Sequence, residues 1–224
     1  MLNMNTETFL CCDTPLSEAQ TILFGAPFDS TTSYRPGTRF GSSAIRRESF
    51  GIESYSPYQD RDLEDAFVLD CGDLELCLGD TPFALKQIEL RTAEVMDAEK
   101  RPFMLGGEHL VTLGAFRAVH ARYPDVHIIH FDAHADLRDD YLGAKLSHAC
   151  VLRRCHELTG DGHIFQFGIR SGERAEFLFA QAHTSMQRFS FEGLRKTLDL
   201  LSGKPVYFTL DLDVLDPSVF PGTG

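Results

Sequence analysis

Val126-His127-Ile128-Ile129-His130-Phe131 runs directly into Asp132-Ala133-His134-Ala135-Asp136, and this junction decides how the chain is read. The first segment is short and rich in β-branched and aromatic residues, which suits a strand buried on both faces. Side chains on an extended backbone alternate with period two. If extension continues past Phe131, then Asp132, His134 and Asp136 all point the same way. Open parallel sheets place their sites at the carboxyl ends of the strands, which is where this cluster lies. Core packing has no need of three potential metal ligands at i, i+2 and i+4.

The same grammar repeats outward from this junction. Strands are predicted over residues 21–25, 66–70, 102–105, 126–131, 163–167, 184–189 and 206–210. Helical patterns lie between them. Thr81 is expected to cap a helix whose first position is Pro82, with Leu85, Ile88, Thr92, Val95 and Met96 on its buried face. Leu110, Leu113, Phe116 and Val119 form a second stripe. Ser190 is expected to cap a third helix with Leu194, Leu198 and Leu201 inward. A short helical run is expected near Gly41–Phe50. Strands alternating with helices predict an α/β fold, a mostly parallel sheet between two helical layers. No repeat or low-complexity linker divides residues 1–224, which read as a single domain.

Two other strand ends carry chemistry. Asp211-Leu212-Asp213 follows the run Val206–Leu210, and Gly106-Gly107-Glu108-His109 follows the run Pro102–Leu105. The three ends together offer Asp132, Asp136, Asp211, Asp213, His109 and His134. Crowding four carboxylates suppresses their ionisation unless cations are present. Two divalent ions balance four carboxylates. Oxygen-rich sets with some imidazole favour Mn²⁺ over Zn²⁺. A D-x-D after a strand can also be a simple turn or helix cap, but caps do not explain all three motifs at once. The other histidines, His120, His127, His130, His156, His163 and His183, read as surface or packing residues.

Composition narrows the classes. The 224 residues carry 33 Asp+Glu against 21 Lys+Arg, a formal charge of −12. That balance argues against a phosphate-backbone partner, which needs a basic footprint, and suits a cationic substrate. No apolar run reaches the roughly 18 residues of a membrane span. The first residues lack the pattern of a secretory signal. The six cysteines form no C-x-x-C pair, so reduced thiols and a cytoplasmic location are expected. Cys150 lies close in sequence to the candidate site, where oxidation is conceivable, although a structural role is expected for all six.

The motifs then converge on a resemblance. Gly25-Ala26-Pro27-Phe28-Asp29, Arg35-Pro36-Gly37-Thr38-Arg39-Phe40-Gly41, Ala44-Ile45-Arg46, GGEH at 106–109, DAHAD at 132–136, SHA at 147–149, GIRSG at 168–172 and DLDVLDPSVFPGTG at 211–224 resemble the ureohydrolases, arginase and agmatinase among them. The resemblance implies an arginase-like three-layer α-β-α fold and two Mn²⁺ ions. It assigns His109, Asp132, Asp136 and Asp211 to one ion, and Asp132, His134, Asp211 and Asp213 to the other. It implies attack of a metal-bridging hydroxide on a guanidinium carbon, with His148 passing a proton to the leaving amine. Asp132 and His148 are thus the expected catalytic residues.

The segment Leu137-Arg138-Asp139-Asp140-Tyr141 lacks the Asn and Thr-Pro typical of arginases. With SHA and GIRSG present, the resemblance is to agmatinase, which converts agmatine to putrescine and urea in polyamine biosynthesis. Guanidinobutyrate and other ω-guanidino acids are the close rivals, and Arg138 bears on them because an arginine at the mouth can receive a carboxylate. A solvated loop position is the reading preferred for Arg138. The family continues past Pro-Gly-Thr-Gly into a substrate-binding glutamate and a late interior strand, so the chain reads as truncated, missing its final strand and helix. Poor folding and no normal turnover are expected of the 224 residues alone. A different dinuclear hydrolase, such as a phosphoesterase, and a non-catalytic homologue are the competing classes. The resemblance also implies a homo-oligomer, trimeric or hexameric.

Overall fold

The computed structural model describes residues 7–222, so Thr223 and Gly224 of the last motif lie outside the described residues. The chain forms two compact units, 1–111 and 112–224. In the first unit the elements are β1 (Thr21–Ala26), α1 (Gly41–Ser49), the two-residue strands β2 (Tyr55–Ser56) and β3 (Arg61–Asp62), β4 (Val68–Asp73), α2 (Thr81–Asp97) and β5 (Arg101–Gly106). The second contains α3 (Val111–Arg122), which begins at the boundary, and β6 (His127–Phe131), α4 (Val151–Thr159), β7 (Ile164–Ile169), α5 (Arg174–His183), β8 (Ser185–Arg188), α6 (Leu194–Leu200) and β9 (Val206–Leu210). All seven predicted strands are present, each within two or three residues of its expected ends.

The first unit has a three-stranded parallel sheet in the order β4-β1-β5. Thr21 of β1 stands opposite Val68 on one side and Arg101 on the other. Every residue of β1 is buried, as a central strand covered on both faces should be. Ala19, Ile22, Phe24 and Val95 make its core, with Leu69, Leu74 and Met104 packed against them. Helix α2 buries Leu85, Ile88, Thr92, Val95 and Met96, the predicted stripe. Its cap is Asp80 rather than Thr81: the Asp80 carboxylate accepts from the Phe83 N–H at 3.0 Å. An acid one residue upstream reaches the third N–H, and that displaces Thr81 into the helix.

The second unit has a four-stranded parallel sheet in the order β8-β7-β6-β9. Ile128 pairs with Ile164 of β7 and with Tyr207 of β9. The chain adds β7 and β8 on one side of β6, then returns to place β9 on the other. This reversal is a topological switch point between β6 and β9, the place where open α/β sheets bind ligands. Ile129, Phe165, Phe167 and Leu201 form a core here, with Phe131 and Leu194 against them. The expected stripe of α6 is corrected at one position. Leu201 is buried but Leu198 is 51% exposed, and Thr197 takes the inward place. A helix of seven residues has two turns, so anchoring Leu194 and Leu201 on the sheet leaves Leu198 turned outward. Ser190 caps the turn leading into the helix, accepting from the Glu192 N–H, while Gly193 is the residue at the helix start.

Candidate metal centre

The site is built at the switch point. Asp211 directly follows β9, and its N–H donates to the Phe131 carbonyl at 2.9 Å, which extends the β6–β9 ladder by one step. That register sets Asp211 beside Asp132. Asp211 then caps a short 3-10 turn over Leu212–Val214, its carboxylate accepting from the Asp213 N–H at 3.0 Å. The turn carries Asp213 inward, where it is buried. One Asp213 oxygen accepts from the Ala133 N–H at 3.1 Å, and the other lies 2.8 Å from His134 Nδ1.

The expected simple alternation through Asp136 is corrected. An isolated parallel bridge between His134 and Ser171 continues the extended backbone to His134. Asp136, however, adopts φ 54°, in the left-handed region. Aspartate tolerates that region better than most residues. The turn carries Asp136 back towards the strand end instead of leaving it on a period-two face. Its carboxylate, that of Asp132 and the ring of His130 offer atoms within 4.8 Å of one another. Asp132, His134 and Asp213 form a second such group. Asp132 belongs to both, and is 1% exposed. Among the described residues, neither group contains Asp211 or His148. His109 stands in the first unit, just beyond β5.

His130 is the residue that the sequence reading placed wrongly. It is fully buried, and its Nε2 lies 2.8 Å from Asp132 Oδ2. The Gln166 amide N–H groups donate to His130 Nδ1 at 3.1 Å and to the Ala135 carbonyl at 2.8 Å. The Gln166 oxygen accepts from the Thr184 hydroxyl at 3.0 Å. A ring that accepts at Nδ1 must carry its proton on Nε2, so His130 donates to Asp132. This chain fixes the orientation of the carboxylate. The signal was available in sequence: His130 sits two residues before Asp132 on a strand, and therefore on the same face.

The electrostatics favour a cation at this place. His134 lies 3.6 Å from Asp132 and 2.8 Å from Asp213, and hydrogen bonding to these two acids pushes its pKa up to about 10. The acids thus hold a positive charge on the imidazole. A divalent ion supplies more charge at the same place and takes the lone pair that the proton occupies. The donor set therefore fits a hard or borderline divalent metal.

The remaining expected residues fall as follows. His148 opens a 3-10 turn over His148–Cys150, half-buried, with its ring 5.6 Å from the Tyr141 ring in an edge-on arrangement. Arg138 is not a solvated loop arginine. It pairs with Glu173 at 2.9 Å and Glu176 at 3.4 Å, and lies over the Tyr141 ring. Cys150 is fully buried, and burial raises its thiol to about 11, which keeps it protonated and slow to oxidise. In the first unit, Glu108 of the GGEH motif is buried and accepts from the Thr31 N–H at 2.8 Å and from its hydroxyl. Burial raises the Glu108 carboxyl above the ordinary range. Gly107 is obligatory there, since a Cβ would lie 2.0 Å from the Phe28 carbonyl oxygen.

This parallel α/β fold with acids and histidines at a switch point is that of a metal-dependent hydrolase. Residues 19–224 match the sequence profile described as "Arginase family", and the chain belongs to that family of hydrolases. It is 46% identical over 220 residues to an agmatinase of Bacillus subtilis, covering 97% of this chain and 76% of the relative. An agmatinase of Bacillus cereus is 44% identical over 221 residues, with the same coverage. The crystal structure of a Clostridium difficile protein, provisionally assigned as an agmatinase, superposes with a TM-score of 0.91 at 52% identity. That match covers 94% of this chain and 77% of the other. The chain thus spans about three-quarters of the length of these relatives. No helix among the described residues is long and apolar enough to cross a membrane.

Proposed function

We propose that this protein hydrolyses the guanidino group of agmatine to putrescine and urea, with two Mn²⁺ ions as cofactors. The observation that carries the metal reading is Asp132, one carboxylate shared by two ligand groups. Asp132, His134, Asp136 and Asp213 would hold the ions, Asp132 being common to both groups. Asp211 would join them on its register beside Asp132, and His109 is proposed as a ligand on its motif alone. When bound, the metal pair neutralises the acids and activates water for attack on the guanidinium carbon.

The protein's own residues supply the rest. Asp132 is held by His130, so its oxygens stay aimed as charge changes nearby. His148 lies in a polar, half-buried turn, where a histidine can deliver a proton to the departing amine. The Tyr141 ring against it limits its rotation. Arg138 is committed to Glu173 and Glu176, which withdraws from substrate recognition an arginine that a carboxylate tail would seek. This favours agmatine, with a cationic tail, over guanidinobutyrate or arginine. The names of the Bacillus relatives support the same substrate. By the same resemblance the protein is expected to act as a homo-oligomer.

A urea assay on the protein made from its full coding sequence and loaded with Mn²⁺ tests this reading. Agmatine should give urea at a kcat/KM well above that of arginine and guanidinobutyrate. No urea from any guanidine, with Mn²⁺ bound, would refute it.

A further inference from the structure

We propose a second metal site, built from His156, Asp161 and His183 at the opposite end of the C-terminal sheet. The three residues offer ligand atoms within 4.8 Å of one another. His156 Nε2 lies 2.8 Å from Asp161 Oδ1, and His183 Nδ1 lies 2.7 Å from the same oxygen. Asp161 precedes β7, whereas Asp132 follows β6. The two strands are parallel, so a strand length, roughly 15–20 Å, separates this group from Asp132.

The backbone builds the group. His156 is in the last turn of α4, and His183 is the last residue of α5. Each helix directs its negative dipole end to this place, which favours a cation. Asp161 sits between Gly160 and Gly162, at φ 77° and 78°, conformations that let the loop reverse tightly. The Gly162 N–H donates to the His183 carbonyl at 3.2 Å and ties the loop to the end of α5. Both imidazoles pack on the Phe179 ring, at centroid distances of 4.9 and 4.3 Å, and Arg153 covers the same ring. The ligands are therefore held in place by apolar contacts that do not depend on an ion.

The donor set selects the metal class. Two imidazole nitrogens and one carboxylate oxygen suit Zn²⁺, Ni²⁺ or Cu²⁺, whereas the Asp132 centre is dominated by oxygen. Zn–N and Zn–O bonds of about 2.0–2.1 Å set neighbouring ligands roughly 3.3 Å apart. The present contacts need to open by only about half an ångström. Asp161 is mostly exposed, which leaves room for water to complete the coordination and a route for entry. The bound ion would staple the ends of α4 and α5 together without touching the catalytic acids.

The alternative is a plain hydrogen-bonded cluster, and counting metal separates the two. Mn²⁺-loaded protein and the H156A/H183A variant would be incubated with Zn²⁺, desalted and analysed for both metals. The wild type should retain one more equivalent of Zn²⁺ than the variant, at equal urea release before Zn²⁺ is added. D161N changes a single exposed side chain and serves if the double variant folds poorly; it should weaken that extra equivalent at least tenfold by calorimetry. Equal Zn²⁺ in all three proteins, or no Zn²⁺ beyond the Asp132 centre in the wild type, would overturn the proposal.

Discussion

The two units both bury acids, but they settle the charge differently. In the N-terminal unit Asp70 is buried and receives Arg46 in a two-pronged pair, at 2.7 and 2.9 Å, while Asp73 meets the same guanidinium. Asp29 is buried and paired with Arg39. In the C-terminal unit Asp132, Asp136 and Asp213 are buried together, and imidazoles stand where the guanidinium groups stand in the other unit. An arginine remains charged in any fold and satisfies an acid permanently. A histidine gives up its proton, so its partner acids can exchange that charge for a metal. The first arrangement builds structure; the second keeps a place for a cation.

The largest effect should come from the acid shared by both ligand groups. Asp132→Asn should lower urea release by about a thousandfold or more. It should also reduce bound metal below two equivalents per chain, read by elemental analysis. Full metal content with normal turnover would erase the contrast between the units.

Arg46→Ala tests the other side. Removing the guanidinium strands buried Asp70, which costs about 3–5 kcal/mol in denaturant unfolding. Metal content per folded molecule should not change. If the variant instead lost metal at unchanged stability, the buried pair would have to be counted with the site.

His130→Ala should weaken metal binding by about 10–100-fold, because it frees a carboxylate that a ring N–H now orients. Stability should fall far less than for Arg46→Ala. His130→Asn, which keeps a donor, should recover part of the affinity.

The pH dependence of metal uptake follows from His134. Its folded, metal-free pKa is raised to about 10. Below that value the ring is protonated, so each ion entering its group must release one proton. Apparent affinity should fall about tenfold for each unit of pH below that value, until the neighbouring acids titrate as well. Calorimetry in buffers of different ionisation enthalpy reads the proton released; none released would place the metal away from His134.

The smallest change is a control at a helix start that carries no proposed ligand. Asp80→Ala removes the cap of α2 and should cost about 1 kcal/mol, with kcat unaltered.

Much of this was legible in the sequence. Continuous apolar runs marked β1, β6 and β7, because a strand covered on both faces has no polar face to interrupt it. The buried stripe of α2 followed from spacing alone. The ligand motifs were visible because acids and histidines at strand ends are foreign to a core. For His130 the sequence showed the placement, on the face of Asp132, but not the role, since a histidine inside an apolar run looks the same whether it packs or orients an acid. Arg138 was misplaced for a related reason: Glu173 and Glu176, which hold it, are more than thirty residues away. Leu198 failed because a two-turn helix satisfies its core contacts with fewer positions than its periodicity offers.

The sequence by itself determined the strand–helix alternation, the acids and histidines at the strand ends, and the family. These are local properties, fixed by side-chain type and spacing along the backbone. Only the tertiary structure decided which acids share an environment. The return of β9 to the far side of β6 sets Asp211 and Asp213 beside Asp132 across about eighty residues of chain, and the left-handed turn at Asp136 brings it into the group with Asp132 and His130. Electrostatic coupling depends on distance through space, and that distance is set by strand order and not by spacing in the chain.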